Sequence, residues 1–122
     1  MKKPAISSYA DKAEYYFEEG CFITENWNHT DDAACSIAQA RVPLGVHTQP
    51  HWLDGIEERY LIIQGQGLAY LGDAPAREVG PGDVVIIPAG VRQSIRNIGP
   101  ADLIFYAICT PRFRQEVYQS EV

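Results

Sequence analysis

No apolar run in this 122-residue sequence approaches the ~20 residues that a membrane-spanning helix needs. Positive charge is also scarce. Ten Lys and Arg stand against sixteen Asp and Glu, and a formal charge of −6 provides no basic face for a nucleic acid. The opening MKKPAISSYADK carries two lysines with no hydrophobic stretch behind them, so no signal peptide is read there and a cytoplasmic protein is expected. Cys21, Cys35 and Cys109 lie far apart and form no C-x-x-C pair, which reads as buried thiols in a reducing compartment. There is no linker, internal repeat or low-complexity segment, and a chain of this length has room for a single core. The glycines are turn formers. They are not a phosphate loop, because no helix bearing a lysine follows them.

What is present is a succession of short strand patterns. CFITENW at Cys21–Trp27 has the β-branched and aromatic content of a strand. Residues 34–42 resume as a second, after the polar turn 28–32, where His29 is assigned no role. Residues 59–63 and 68–71 read as a hairpin across Gln64-Gly65-Gln66-Gly67. Val84–Ile87 and residues 103–109 are the most apolar strands. Residues 11–20, with their Tyr-Tyr-Phe run, read as a short helix or an extended arm, and residues 112–122 as a charged tail. Arg112 and Arg114 are anion-binding candidates if that tail folds over the barrel mouth, and solvated otherwise. Strands with turn signals every eight to twelve residues or so, and little convincing helix, predict an all-β sandwich or barrel.

Two of those strands are apolar on both faces, where a solvated antiparallel strand should alternate. The outer face therefore needs a cover. A homodimer is the expected one, with the N-terminal arm as the alternative.

The chemistry-bearing residues fall in two blocks. In the first, Gly45 is followed after five residues by His51, after one more by Leu53, after four by Glu58 and after six by Gly65. In the second, Gly82 is followed after five by Pro88, after one by Gly90, after two by Gln93 and after three by Asn97. Together these blocks resemble the two signature motifs of the cupin superfamily. That resemblance implies a double-stranded β-helix, or jelly-roll, barrel as one domain: residues 1–40 as arm and first strands, 41–111 as the core with both motifs, and 112–122 as the tail.

In that family two histidines and a glutamate of the first motif, and a histidine of the second, converge on one metal. Carried over by position, these ligands become His51, Leu53, Glu58 and Gln93. Leucine cannot coordinate, and glutamine offers only an amide oxygen, which suits harder ions. The resemblance thus implies a weakly held divalent ion (Zn, Ni, Fe, Mn or Cu) on His51, Glu58 and Gln93.

The two-residue period of a strand decides which neighbours share the cavity. With Glu58 inward, Tyr60 and Ile62 are inward, while Arg59, Leu61 and Ile63 point out. With His51 inward, Leu53 and Gln49 join it, and His47 lies on the same face about 13 Å away along the strand, at roughly 3.3 Å per residue. His47 reads as a mouth or surface residue that could complete a weakened metal shell. Glu57 reads as solvated. Gln93 is open between ligand, substrate contact and cavity filler.

Three functions follow. The first is a barrel holding a small organic molecule, through the metal if one is bound. The second is metal-free acid/base catalysis of the isomerase or epimerase kind, with His51 taking a proton and Tyr60 returning one. The third is a binding or sensing barrel without catalysis. No nucleic acid and no membrane is expected as partner.

Overall fold

The computed structural model describes residues 3–121. Eleven strands follow in chain order: β1 (Tyr15–Phe17), β2 (Cys21–Trp27), β3 (Ser36–Val42), β4 (His51–Leu53), β5 (Glu57–Gln64), β6 (Gly67–Leu71), β7 (Arg77–Val79), β8 (Val84–Ile87), β9 (Gln93–Asn97), β10 (Leu103–Thr110) and β11 (Tyr118–Ser120). They form a six-stranded sheet in the order β1-β2-β3-β10-β5-β8 and a five-stranded sheet in the order β11-β4-β9-β6-β7, with every pairing antiparallel. This is the all-β jelly roll expected. No helix among the described residues is long and apolar enough to cross a membrane.

The core lies between the sheets. Val42, Ile62, Ile87, Ile95, Leu103 and Phe105 are buried there, contributed by strands that alternate inward apolar and outward mixed positions. On β5, Glu58, Tyr60 and Ile62 are buried, whereas Arg59 and Leu61 are half-buried and Ile63 is exposed, as the period of two requires. Asn97 closes the second motif structurally. Its amide donates to the Val42 and Ala101 carbonyls at 2.9 and 2.8 Å, and its oxygen accepts from the Gly99 N–H at 3.0 Å.

One expectation is corrected. Residues 59–63 and 68–71 are not a hairpin. β5 pairs with β8 and β10 in one sheet, while β6 pairs with β7 and β9 in the other. The glycine turn carries the chain across the barrel because Gly65 packs on the β10 backbone instead of folding β6 back onto β5. Of the two expected forms of residues 11–20, the extended arm is the one adopted. Tyr9–Asp11 is a single 3-10 turn and β1 pairs with β2, so the arm lies at the edge opposite β8. It leaves the outer side of β8 uncovered, with Val84 52% and Ile86 66% exposed.

Candidate functional site

His51 opens β4, and each of its ring nitrogens has an oxygen partner. Nδ1 lies 2.9 Å from the Gln49 carbonyl, which can only accept, so Nδ1 carries a proton. Nε2 lies 3.2 Å from Glu19 Oε2. Tyr118 of β11 stacks on the imidazole at 5.1 Å and 20° and donates its hydroxyl to the same Glu19 oxygen at 3.3 Å. The Cys21 thiol donates to Glu19 Oε1 at 3.2 Å. The Glu19 carboxylate is therefore a hub that accepts from two donors and faces the imidazole. It is held in place by the tight turn between β1 and β2, where Gly20 adopts φ +105° and the Gly20 N–H returns to the Phe17 carbonyl at 2.9 Å.

Glu58 lies across the same cavity on β5, 8% exposed. Its strand neighbour Cys109 directs a thiol to Oε2 at 3.7 Å, and Oε1 has no hydrogen-bond partner. Burial pushes the Glu58 carboxyl up to about 7, with the nearby His51 charge acting against it and Glu19 adding to it. Tyr60, two residues along, donates its hydroxyl to Gln93 Oε1. Burial, and next the Glu58 charge, push the phenol well above its ordinary value.

These side chains surround a cavity of about 70 Å³ whose walls include Phe17, Leu53, Phe105, Ala107, Phe113 and Tyr118. On the scale where one water needs ~10–15 Å³, it has room for a small organic molecule. Tyr15, Glu25 and Asn28 line both this cavity and an outer groove against Trp27 and His29, which makes them its mouth. The tail does fold over the site, bringing Phe113 and Tyr118 to its wall. Arg112 is spent on the Asn28 side-chain oxygen at 3.0 Å, and Arg114 lies 3.7 Å from Glu116.

The sequence-derived site is thus brought together in part. His51, Leu53, Glu58 and Tyr60 line one cavity. Gln93, the cross-strand partner of His51, stands behind Tyr60. Glu57 is exposed and pairs with Arg59 at 3.2 Å. His47 faces away, which corrects its expected side: it stacks on Tyr70 at 4.7 Å and reaches Ser94 Oγ at 2.9 Å. The alternation breaks before His51 because Pro50 has no N–H to pair, and the Gln49 N–H goes to the Glu19 carbonyl at 2.6 Å. Thr48 is buried instead, its hydroxyl accepting from the Ile95 N–H at 2.9 Å.

The donor set does not fit a resident metal ion. His51 Nε2 faces Glu19, the Gln93 oxygen accepts from Tyr60, and Leu53 fills the fourth corner. Among the described residues no three His, Cys, Asp or Glu side chains are grouped to hold one. Restoring imidazoles reverses this. Gln93 pairs with His51 across strands and Leu53 shares its inward face, so Leu53→His with Gln93→His sets three imidazoles together. The double variant is expected to bind Zn²⁺ or Ni²⁺ at least tenfold more tightly than wild type, about 1.4 kcal/mol. Calorimetric titration after chelator treatment reads this directly, and equal affinities would refute the alignment of the two positions.

Glu19 and Tyr118 were not anticipated. The signal for Glu19 was the alternation Tyr15, Phe17, Glu19, Cys21 ahead of β2, with its first three residues on β1 and the turn. Nothing local marked Tyr118, since a single aromatic in a charged tail has no period.

Comparison with known proteins places these features. Residues 39–109 match the family model described as "Cupin domain". An uncharacterised protein of Methanocaldococcus jannaschii, MJ1618, is 37% identical over 114 residues, covering 91% of this chain and 90% of that one. Among solved structures, the Streptomyces nucleoside dehydratase Pac13 superposes with a TM-score of 0.80 at 16% identity, over 97% of this chain and 91% of that one. KdgF from Halomonas superposes with a TM-score of 0.77 at 15% identity, over 89% and 96%. At such identities the likeness to the two structures is one of fold.

Proposed function

Because the chain belongs to the cupin family, we propose that its barrel binds a small organic molecule and moves a proton on it. The His51–Glu19 couple is the proton-transfer unit and Glu58 the binding group. The observation that carries this reading is the 3.2 Å contact between His51 Nε2 and Glu19 Oε2 on the wall of an otherwise apolar cavity. The Gln49 carbonyl holds the proton on Nδ1, so Nε2 is the nitrogen that takes a proton from the ligand, and the Glu19 carboxylate beside it orients the ring and stabilises the imidazolium that forms. Tyr60 is the weaker proton donor of the two residues first suggested by the sequence, because its hydroxyl is committed to Gln93 and burial holds its proton. Dehydration, the reaction of the fold neighbour Pac13, is itself a proton-transfer reaction.

The test is solvent-deuterium exchange into a panel of nucleosides, hydroxyketones and amines incubated with the protein, followed by mass spectrometry. His51→Gln should lower exchange by ~10²–10⁴-fold, the usual contribution of a positioned acid or base, and Tyr60→Phe by less than about tenfold. Wild-type exchange in His51→Gln would overturn the reading. Stoichiometric divalent metal in protein purified without a His-tag would replace it with the metal-bound alternative on His51, Glu58 and Gln93.

The same proposal includes a homodimer. Val84, Ile86 and Ile63 are exposed on one outer sheet face, with Leu61 paired to Val84 and Tyr106 paired to Leu61. A second copy of that face is the cover whose apolar chemistry matches it. Light scattering should give a dimer at micromolar concentration and a monomer for Ile86→Lys. A wild-type monomer would refute it.

A further inference from the structure

The cavity wall is charged in one direction. Glu19, Glu25 and Glu58 line it, His51 is the one basic side chain among its lining residues, and no lysine or arginine joins them. His51 is matched by Glu19 at 3.2 Å. Glu25 at the mouth has the Asn28 amide at 3.4 Å. Glu58 is left over: it is 8% exposed, has a weak thiol contact on one oxygen and the Gln93 amide nearby, and no hydrogen bond reaches Oε1. A buried carboxyl oxygen without a partner is costly unless something supplies one.

Around Glu58 the wall is aromatic. Tyr60 and Phe105 lie 4.2 Å apart, tilted by 33°. Phe17 and Tyr118 meet edge to face at 5.2 Å. Ring faces attract cations, the more so when both are removed from water. A carboxylate or phosphate ligand would instead enter a pocket holding three acids and one already-paired histidine. A neutral alcohol could donate one hydrogen bond to Glu58 but would leave its negative charge unbalanced.

We infer that the ligand is a small organic cation, an ammonium-bearing molecule whose nitrogen is met by the Glu58 carboxylate and whose alkyl part lies against Tyr60, Phe105, Phe17 and Tyr118. The inference rests on the reading of this cavity as the ligand site and adds the charge class of what it takes. Glu25 is shared with an outer groove whose lining holds Asp11 and Lys12 in balance, so Glu25 is the acid that an entering cation meets at the mouth.

The experiment uses three probes of similar size on the full chain at about pH 8, above the Glu58 value of about 7: propylammonium, propan-1-ol and propionate, titrated by calorimetry and by ligand-observed NMR. Propylammonium should bind at least about tenfold more tightly than propan-1-ol, and propionate should not bind measurably. Glu58→Gln should bring propylammonium to within about threefold of propan-1-ol, with a urea midpoint confirming that the variant is folded. If that variant does not fold, the ammonium-to-alcohol ratio in wild type decides alone. Propan-1-ol or propionate binding as tightly as propylammonium overturns the inference, and so does the absence of binding by every probe. Proton transfer is read separately. Deuterium exchange lost in His51→Gln, without any preference for ammonium, would leave the acid/base reading standing and remove only the cation.

Discussion

Gly65→Ala is expected to destabilise the barrel by about 2–4 kcal/mol, more than a surface turn normally loses. The residue sits at φ +89°, and a Cβ built on it would lie 2.8 Å from the Asp102 carbonyl oxygen and 3.0 Å from Leu103 Cα. Both atoms are backbone at the start of β10, so no rotamer change relieves the contact. The chain must either pull β5 from β10 or distort the turn. That junction is already irregular, since the β5–β10 register shifts between Ile104 and Phe105, and the Gln64 side chain is anchored to the Asp102 carbonyl at 3.1 Å. A positive φ alone accounts for about 1–3 kcal/mol in a residue with a side chain, and the close approach adds the rest. Urea unfolding should move to a lower midpoint with an unchanged slope. A loss below about 1 kcal/mol would mean that the crossing between sheets relaxes freely. Gly90 serves as the control: it also has positive φ, +77°, but nothing lies within 4 Å of its added Cβ, so Gly90→Ala should incur the backbone strain and no more.

Stability should also fall as pH rises through neutrality, in the direction opposite to ordinary acid denaturation. In the folded barrel burial raises the Glu58 carboxyl to about 7 from 4.5. Between those values the folded chain keeps a proton that the unfolded chain has released. The unfolded state therefore binds fewer protons, and the free energy of unfolding decreases with pH across the window. The contribution is complete below about pH 4.5 and is lost on passing 7, a difference of about 3 kcal/mol. Glu58→Gln keeps the shape with no charge to gain, so its stability should be nearly flat where the wild type declines. At about pH 8 the variant should be the more stable protein by up to that amount. Urea titrations of both proteins at about pH 5 and pH 8 supply the comparison. A wild type equally stable at both values would show that the carboxyl is ionised throughout and already paired. Propylammonium added at the higher pH should reduce the wild-type decline, because a ligand bound only by the folded state stabilises it by mass action.

Much of the barrel was legible along the chain because a strand's side chains alternate, and alternation is a local property. From it follow the inward set Glu58, Tyr60 and Ile62, the pairing of His51 with Leu53 on one face, and the apolar outer side of Val84 and Ile86. The spacing of the two motifs aligned Gln93 with the site, and β4 and β9 are indeed cross-strand neighbours at His51 and Gln93. The tertiary structure decided which partner each group meets. Glu19 and Tyr118 come from opposite ends of the chain and meet at His51. Neither carries a local signal of that contact, because the β1–β2 turn and β11 are positioned by long-range strand pairing. The same distinction explains the two corrected expectations. Gly65 looked like the tip of a hairpin, since a glycine turn between two strands is equally compatible with pairing and with crossing, and only its fit against Asp102 and Leu103 selects crossing. His47 looked inward because the period was extended through Pro50, where a missing N–H and the Gln49–Glu19 backbone bond reset it. Residue pattern determines the face a side chain takes within an uninterrupted strand. The partners across the cavity, and so the charge and the chemistry of the site, are determined by how the sheets close.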